Sequence, residues 1–261
     1  MVQELAHRGS KPSIVIIPGS FSPAYFYSDI VDKLRQDGFD AIVEELPSAS
    51  RSPPEKAATM QDDAAVFRGV VEKLADQGKD VVFVTHSYGG MVGTEASKGI
   101  SKKERKEAGK EGGLVKLVYL TSVVATPGKS IGELMGSSLP TFFEVDGDFM
   151  KHVHFDNAAR LTFSDLPHEE GVELAKKMTH HSTPSFQDKL TYPGYRYLPV
   201  SWIFAEDDLI LTPEFQRSCI DMIEKESGNK VDIHNIKTGH CPNSSAPDVV
   251  AAAIIAAVKQ A

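Results

Sequence analysis

Three stretches of this sequence carry an apolar run straight into side chains that can move protons. The first is VVFVTHSYGG (81–90), in which Ser87 follows Thr85 and His86 and precedes Tyr88, Gly89 and Gly90. The second, SWIFAEDDLILTP (201–213), presents Glu206, Asp207 and Asp208. The third, KVDIHNIKTGHCP (230–242), ends on His240 and Cys241. A serine hydroxyl is a weak nucleophile until a base takes its proton and a third group orients that base. Serine, acid and histidine occur here in that order, each just past a predicted strand. That pattern predicts a nucleophile at Ser87, an orienting acid at Asp208 and a base at His240, gathered at one edge of a sheet. Asp207 is the alternative acid; Asp208 is preferred because it stands five residues before Pro213. His234 falls inside the last predicted strand and reads as structural. His86 points away from the serine hydroxyl in a regular strand and reads as a packing or locally hydrogen-bonded residue.

A tight strand-to-helix turn suits the first stretch. Small residues two before and two after the serine let the backbone fold sharply, and the helix that follows directs its positive end at the hydroxyl. Gly89 fits this pattern, whereas Thr85 stands where a glycine is usual. Acyl chemistry also needs donors for a developing oxyanion. One is the backbone N–H of Tyr88. The other is expected from PGSFSP (18–23), where Gly19 permits close approach and the N–H of Ser20 is the natural donor, with Phe21 as the alternative and as a lining of the pocket entrance.

The elements that must position these groups alternate. Apolar runs at 13–19, 40–46, 81–84, 114–124, 200–208 and 230–236 predict strands, and the intervening segments carry helical periodicity. A long helix is predicted over 59–77 with a stripe of Ala65, Val66, Gly69, Val70 and Leu74, and a last helix over 247–261. The implied fold class is α/β: a mostly parallel central sheet with helices on both faces. Residues 127–195 break the rhythm and read as a helical cap inserted between two parts of the core, 1–126 and 196–261. Phe142, Phe143, Phe149 and Phe155 of this insert are candidates for an apolar pocket wall. His152, His154, His180 and His181 also fall there, without the spacing that completes a zinc site, so no metal is expected.

The 261 residues suffice for one domain with a substantial core. A net charge of −8, from 28 Lys and Arg against 36 Asp and Glu, argues against nucleic acid or an anionic membrane as partner. SKKERKEAGK (101–110) mixes its lysines with glutamates and reads as a solvated helix end. The amino-terminal residues carry no apolar segment of the secretory kind, no apolar run reaches bilayer length, and only Cys219 and Cys241 are present. The expectation is a cytoplasmic protein, monomer or homodimer, acting on a small neutral molecule.

With IIPGSFSPAYFY, VTHSYGG, FAEDDLILTPEFQ and TGHCP, the chain resembles the α/β-hydrolase superfamily. Within it, the chain resembles small serine esterases of the plant methylesterase and hydroxynitrile-lyase type and their microbial relatives. The resemblance spans nearly the full length. It implies Ser87 as nucleophile, His240 as base, Asp208 as acid, backbone donors at Ser20 and Tyr88, and no cofactor. Two departures stand out. The first strand ends Pro18-Gly19 where His-Gly is common, and Cys241 replaces the lysine that follows the catalytic histidine in the lyases, which argues against cyanide release. The expected activity is hydrolysis of a carboxylic ester or lactone. A small-molecule receptor with slow hydrolysis, a C–C bond hydrolase and a lyase are the alternatives on the same scaffold.

Overall fold

The computed structural model describes residues 11–136 and 142–259. The core opens with β1 (Ser13–Ile17), a 3-10 turn (Ala24–Tyr27), α1 (Ser28–Gln36), β2 (Ala41–Val43), α2 (Pro47–Ser50) and α3 (Met60–Ala75). It continues with β3 (Asp80–Ser87), α4 (Gly89–Ala96), α5 (Lys102–Glu107) and β4 (Gly113–Ser122). The insert holds α6 (Ile131–Met135), β5 (Phe143–Asp146), β6 (Phe149–His152), α7 (Phe155–Thr162), α8 (His168–Lys176), β7 (His181–Ser182) and α9 (Thr183–Gln187). The chain closes with β8 (Val200–Ala205), α10 (Pro213–Ser227), β9 (Asp232–Ile236), α11 (Pro242–Ser245) and α12 (Pro247–Val258).

Six strands form one sheet in the order β2-β1-β3-β4-β8-β9, and every neighbouring pair is parallel. Such a sheet is covered on both faces, which is why its strands read as continuous apolar runs. The pleat sends alternate residues to opposite layers: Val15, Ile17, Val81 and Phe83 pack toward α3, α4 and α10, whereas Ile14, Ile16, Val82 and Val84 pack toward α1 and α12. The chain leaves β1 for β2 on one side and returns to β3 on the other. The carboxyl ends of β1 and β3 therefore flank a crevice, the place where open α/β sheets bind ligands.

Two sequence expectations shift. Of the predicted stripe of α3 only Leu74 is buried; the rest of the buried face runs one residue out of phase with it. The buried residues are Met60, Asp63, Ala64, Phe67, Val71, Leu74 and Ala75, while Val66 is 37% exposed. Phe67 sets the phase, because its ring carries more apolar area than the valines beside it. Thr59 caps this helix in a reciprocal box with Asp62. The insert is not wholly helical: β5, β6 and β7 form a second, antiparallel sheet. These strands are two to four residues long, and β5 is largely exposed, so neither length nor alternation marks them in the sequence. The Pro/Ser-rich segment after β2 opens with the short helix α2. Residues 137–141 of the insert and the last two residues of the predicted terminal helix lie outside the described residues. No helix among the described residues is long and apolar enough to cross a membrane.

Candidate active site

Ser87 ends β3 at φ 52°, a left-handed conformation that costs a non-glycine residue on the order of 1–2 kcal/mol. The surroundings hold it there. Its carbonyl accepts the N–H of Val123 at 2.9 Å, and α4 begins two residues later. A Cβ on Gly89 would lie 2.6 Å from the Pro18 carbonyl oxygen, so only glycine lets α4 start this close to the end of β1. The expected sharp turn is present, and it lifts the serine hydroxyl over the crevice.

The hydroxyl meets a line of polar groups. Ser87 Oγ lies 3.1 Å from His240 Nε2, and His240 Nδ1 lies 2.8 Å from Asp208 Oδ2. All three are at least nine-tenths buried. Asp208 Oδ1 accepts the backbone N–H groups of Ile210 and Leu211 at 2.7 and 2.9 Å, and Thr121 donates its hydroxyl to Oδ2. Burial alone would push this carboxyl up. The charge and hydrogen bond of His240 and the bonds from Thr121 and Leu211 outweigh burial and hold it below the usual carboxylate range. Asp207 is exposed, and its carboxylate makes none of these bonds. The chain thus brings Ser87, Asp208 and His240 together and leaves Asp207 out. This is the geometry in which an imidazole can take a hydroxyl proton while a carboxylate fixes its tautomer.

The loop after β1 faces the serine. Gly19, Ser20 and Phe21 all line one pocket together with Ser87, Tyr88 and His240. Phe21 is held at φ 59°; its N–H points to His181 Nδ1 at 3.4 Å and its carbonyl accepts from Thr179 N–H. Its ring contacts Phe143, His152 and His181 at 5.6, 4.6 and 5.2 Å between centroids, so this loop docks directly on the insert.

Phe142 and Phe143 line the pocket, joined by Ile131, Met135, Met178 and Phe186. Phe149 and Phe155 do not. Phe149 packs edge-on to His180, and Phe155 is partly buried against the apolar cluster that includes Phe142, Ala158 and Phe163. No Asp, Glu, Lys or Arg lines the pocket among the described residues. Cys241 lines it, but burial first, then the charges of Asp208 and Asp165, push its thiol well above the ordinary value, so it stays protonated. The four histidines of the insert do not converge: among the described residues no group of His, Cys, Asp and Glu has a metal-binding arrangement.

Several interactions at the site were not read from the sequence. Tyr88 Oη donates to Asp63 Oδ2 at 2.5 Å, and Asp63 Oδ1 accepts the N–H of Ser48 at 2.8 Å. Burial pushes Asp63 up to about 6 against those hydrogen bonds. Its one legible sign is a carboxylate in phase with the buried stripe of α3. His181 is neutral, since burial and then the neighbouring His152 push it down to about 3. Ser185 Oγ donates to the Ser182 carbonyl, so His181 Nε2–H donates to Ser185 Oγ and Nδ1 is free to accept from Phe21. His152, pushed down to about 4 by burial, lines the pocket, and its buried Nδ1 has no hydrogen-bond partner among the described residues.

A parallel sheet of this strand order, with a serine on the turn at its switch point and an acid and a histidine after its last two strands, is the architecture of an α/β hydrolase. The comparison agrees: the chain belongs to the alpha/beta hydrolase family, whose sequence model matches residues 14–253. It is 35% identical over 240 residues to probable hydrolase R7 of a Phoma species, covering 92% of this chain and 95% of that protein. It is 30% identical over 253 residues to the alpha/beta hydrolase nvfD of Aspergillus novofumigatus, covering 92% and 94%. Among solved structures, polyneuridine aldehyde esterase superposes with a TM-score of 0.73 at 20% identity, covering 95% of this chain and 99% of that one.

Proposed function

We propose that this protein is a serine hydrolase that cleaves a carboxylic ester or lactone of a small, neutral, mostly apolar molecule, without a cofactor. The observation that carries the proposal is the unbroken line Ser87 Oγ–His240 Nε2, His240 Nδ1–Asp208 Oδ2 at hydrogen-bond distances. In this mechanism Ser87 Oγ attacks the ester carbonyl carbon while its proton passes to His240 Nε2. The tetrahedral intermediate collapses, the C–O bond to the alcohol breaks, and His240 returns the proton to the leaving oxygen. Water then repeats the sequence on the acyl-enzyme and releases the acid. Asp208 keeps the proton of the neutral imidazole on Nδ1 and stabilises the imidazolium.

The backbone N–H groups of Ser20 and Tyr88 serve as oxyanion donors. Ser20 is favoured over Phe21 because the Phe21 N–H is directed at His181. An uncharged pocket walled by phenylalanine and methionine suits a neutral apolar substrate, and His152 offers one nitrogen for a substrate hydroxyl. The protonated Cys241 supplies no positive charge for a leaving cyanide, which favours hydrolysis over lyase chemistry. The esterase name of the structural neighbour points the same way.

The test is hydrolysis of p-nitrophenyl acetate and butyrate by wild type and Ser87→Ala. The proposal expects turnover in wild type and a loss of at least about 10³-fold in the variant. Turnover retained in Ser87→Ala would contradict it.

A further inference from the structure

A second buried chain of hydrogen bonds, separate from the Ser87–His240–Asp208 line, runs from the loop after β1 to the backbone of His240. Gly19 N–H donates to Tyr27 Oη at 2.8 Å. Tyr27 Oη lies 2.7 Å from His86 Nδ1, and His86 Nε2 lies 2.8 Å from the His240 carbonyl oxygen. The proton positions follow from the partners. A carbonyl only accepts, so Nε2 of His86 carries the proton and Nδ1 accepts. Tyr27 then donates its hydroxyl proton to Nδ1, and its oxygen accepts from Gly19.

We propose that His86, together with Tyr27, is a positioning residue for acyl transfer, tying the backbone of His240 to the loop that carries Ser20. The proposal rests on the acyl-transfer reading above. Through this tie the base and one oxyanion donor keep a set distance from Ser87, although they come from opposite ends of the chain.

Three observations fit this role. First, the tie is sealed from water: Tyr27 is fully buried and His86 is 1% exposed, so no solvent competes for its bonds. Second, the loop is shaped around it. A Cβ on Gly19 would stand 2.9 Å from His86 Nδ1 and 3.2 Å from Ser87 Cβ. Third, His86 stays neutral. Burial first, then the nearby His240, push it down to about 3, while burial and Cys241 push the Tyr27 phenol up. The rings of His86 and His240 are 5.2 Å apart, so a charge on His86 would oppose the imidazolium that forms on His240. A neutral donor holds the backbone without that repulsion.

The test compares Tyr27→Phe, His86→Phe and His86→Gln with wild type in three readouts. These are kcat and KM for p-nitrophenyl butyrate, the rate of Ser87 modification by a fluorophosphonate, and the low-field proton resonance of His240 Nδ1–H. Both phenylalanine variants are expected to lose about tenfold to hundredfold in kcat and modification rate, with KM within about twofold. The low-field resonance shifts in both. His86→Gln, which keeps a donor for the His240 carbonyl, recovers most of the loss. Folded phenylalanine variants with wild-type kcat, modification rate and resonance would overturn the proposal. Should His86→Phe fail to fold, Tyr27→Phe, which removes a single oxygen, decides alone. Should wild type itself react with neither ester nor fluorophosphonate, the acyl-transfer reading fails. The resonance then judges the tie, and an unshifted signal in Tyr27→Phe overturns it.

Discussion

Asp63 stands behind Tyr88: its carboxylate takes the phenol hydrogen bond at 2.5 Å, so the residue that follows Ser87 is anchored by its side chain as well as its backbone. The Tyr88 ring also meets His181 and Phe186 at 4.8 and 5.7 Å. The Tyr88 N–H, assigned above to the oxyanion, is thereby held by a buried acid on α3 and by the insert. Both contacts fix a dipole before the substrate arrives, which is where electrostatic stabilisation is most effective.

Asp63 gives a pH signature. Its carboxyl is raised from 3.8 to about 6, so between those values the folded chain binds more protons than the unfolded one. Stability from this group is therefore greatest below about pH 4 and falls as pH rises to about 6, by on the order of 3 kcal/mol. His86, His152 and His181, all pushed down by burial, act in the opposite direction below pH 6.5. The difference between wild type and Asp63→Asn isolates the acid. In urea unfolding, the variant is expected to gain on wild type between pH 4.5 and 7.5, and a constant difference would refute the assignment.

Asp208→Asn should leave the fold intact and stop turnover. The Ile210 and Leu211 N–H groups fix the amide oxygen on one side, which leaves an NH₂ facing His240 Nδ1. The imidazole must then carry its proton on Nε2, where it cannot accept from Ser87. A fall in kcat of about 10⁴-fold is expected. A loss under tenfold would return the acid role to another group.

The departure at Thr85 has a compensating partner. A Cβ on Gly93 would lie 2.5 Å from Thr85 Cγ2, so the bulk added at the turn is accommodated by a glycine one turn into α4. Gly93→Ala is expected to destabilise by about 1–3 kcal/mol through overpacking, and adding Thr85→Ala should restore most of that. Additive losses in the double variant would disprove the coupling.

His152 is the unsatisfied member of the pocket wall. His152→Phe keeps the ring contacts with Phe21 and Phe142 and removes a buried nitrogen that has no partner among the described residues. A gain of about 1 kcal/mol in stability is expected. For a pair of aryl-alkanoate esters that differ by one ring hydroxyl, the variant should lose about tenfold preference for the hydroxylated one. Unchanged stability and unchanged preference would remove His152 from the account.

The parts legible in the sequence share one property: they are written in contiguous residues. VVFV before Ser87 and WIFA before Asp208 announce buried parallel strands, and such strands deliver their carboxyl ends to one edge. The order of Ser87, Asp208 and His240 could therefore be read directly. Asp63, Tyr27 and His86 could not, because their roles depend on bonds to residues 25, 8 and 154 positions away. The short strands of the insert were hidden for another reason. His181–Ser182 pairs only because β6 offers its edge, and two residues carry no periodicity of their own. The phase of α3 slipped because counting apolar positions weighs a valine and Phe67 alike, whereas burial does not.

Whether Ser87 is a nucleophile activated by His240 is decided by covalent capture. Wild type, Ser87→Ala and His240→Ala are each incubated with a fluorophosphonate, and the intact mass is followed in time. One adduct per wild-type chain is expected, mapped to Ser87, with none in Ser87→Ala and markedly slowed formation in His240→Ala. A folded wild-type protein that takes up no probe, or an adduct that persists in Ser87→Ala, would contradict that role for Ser87.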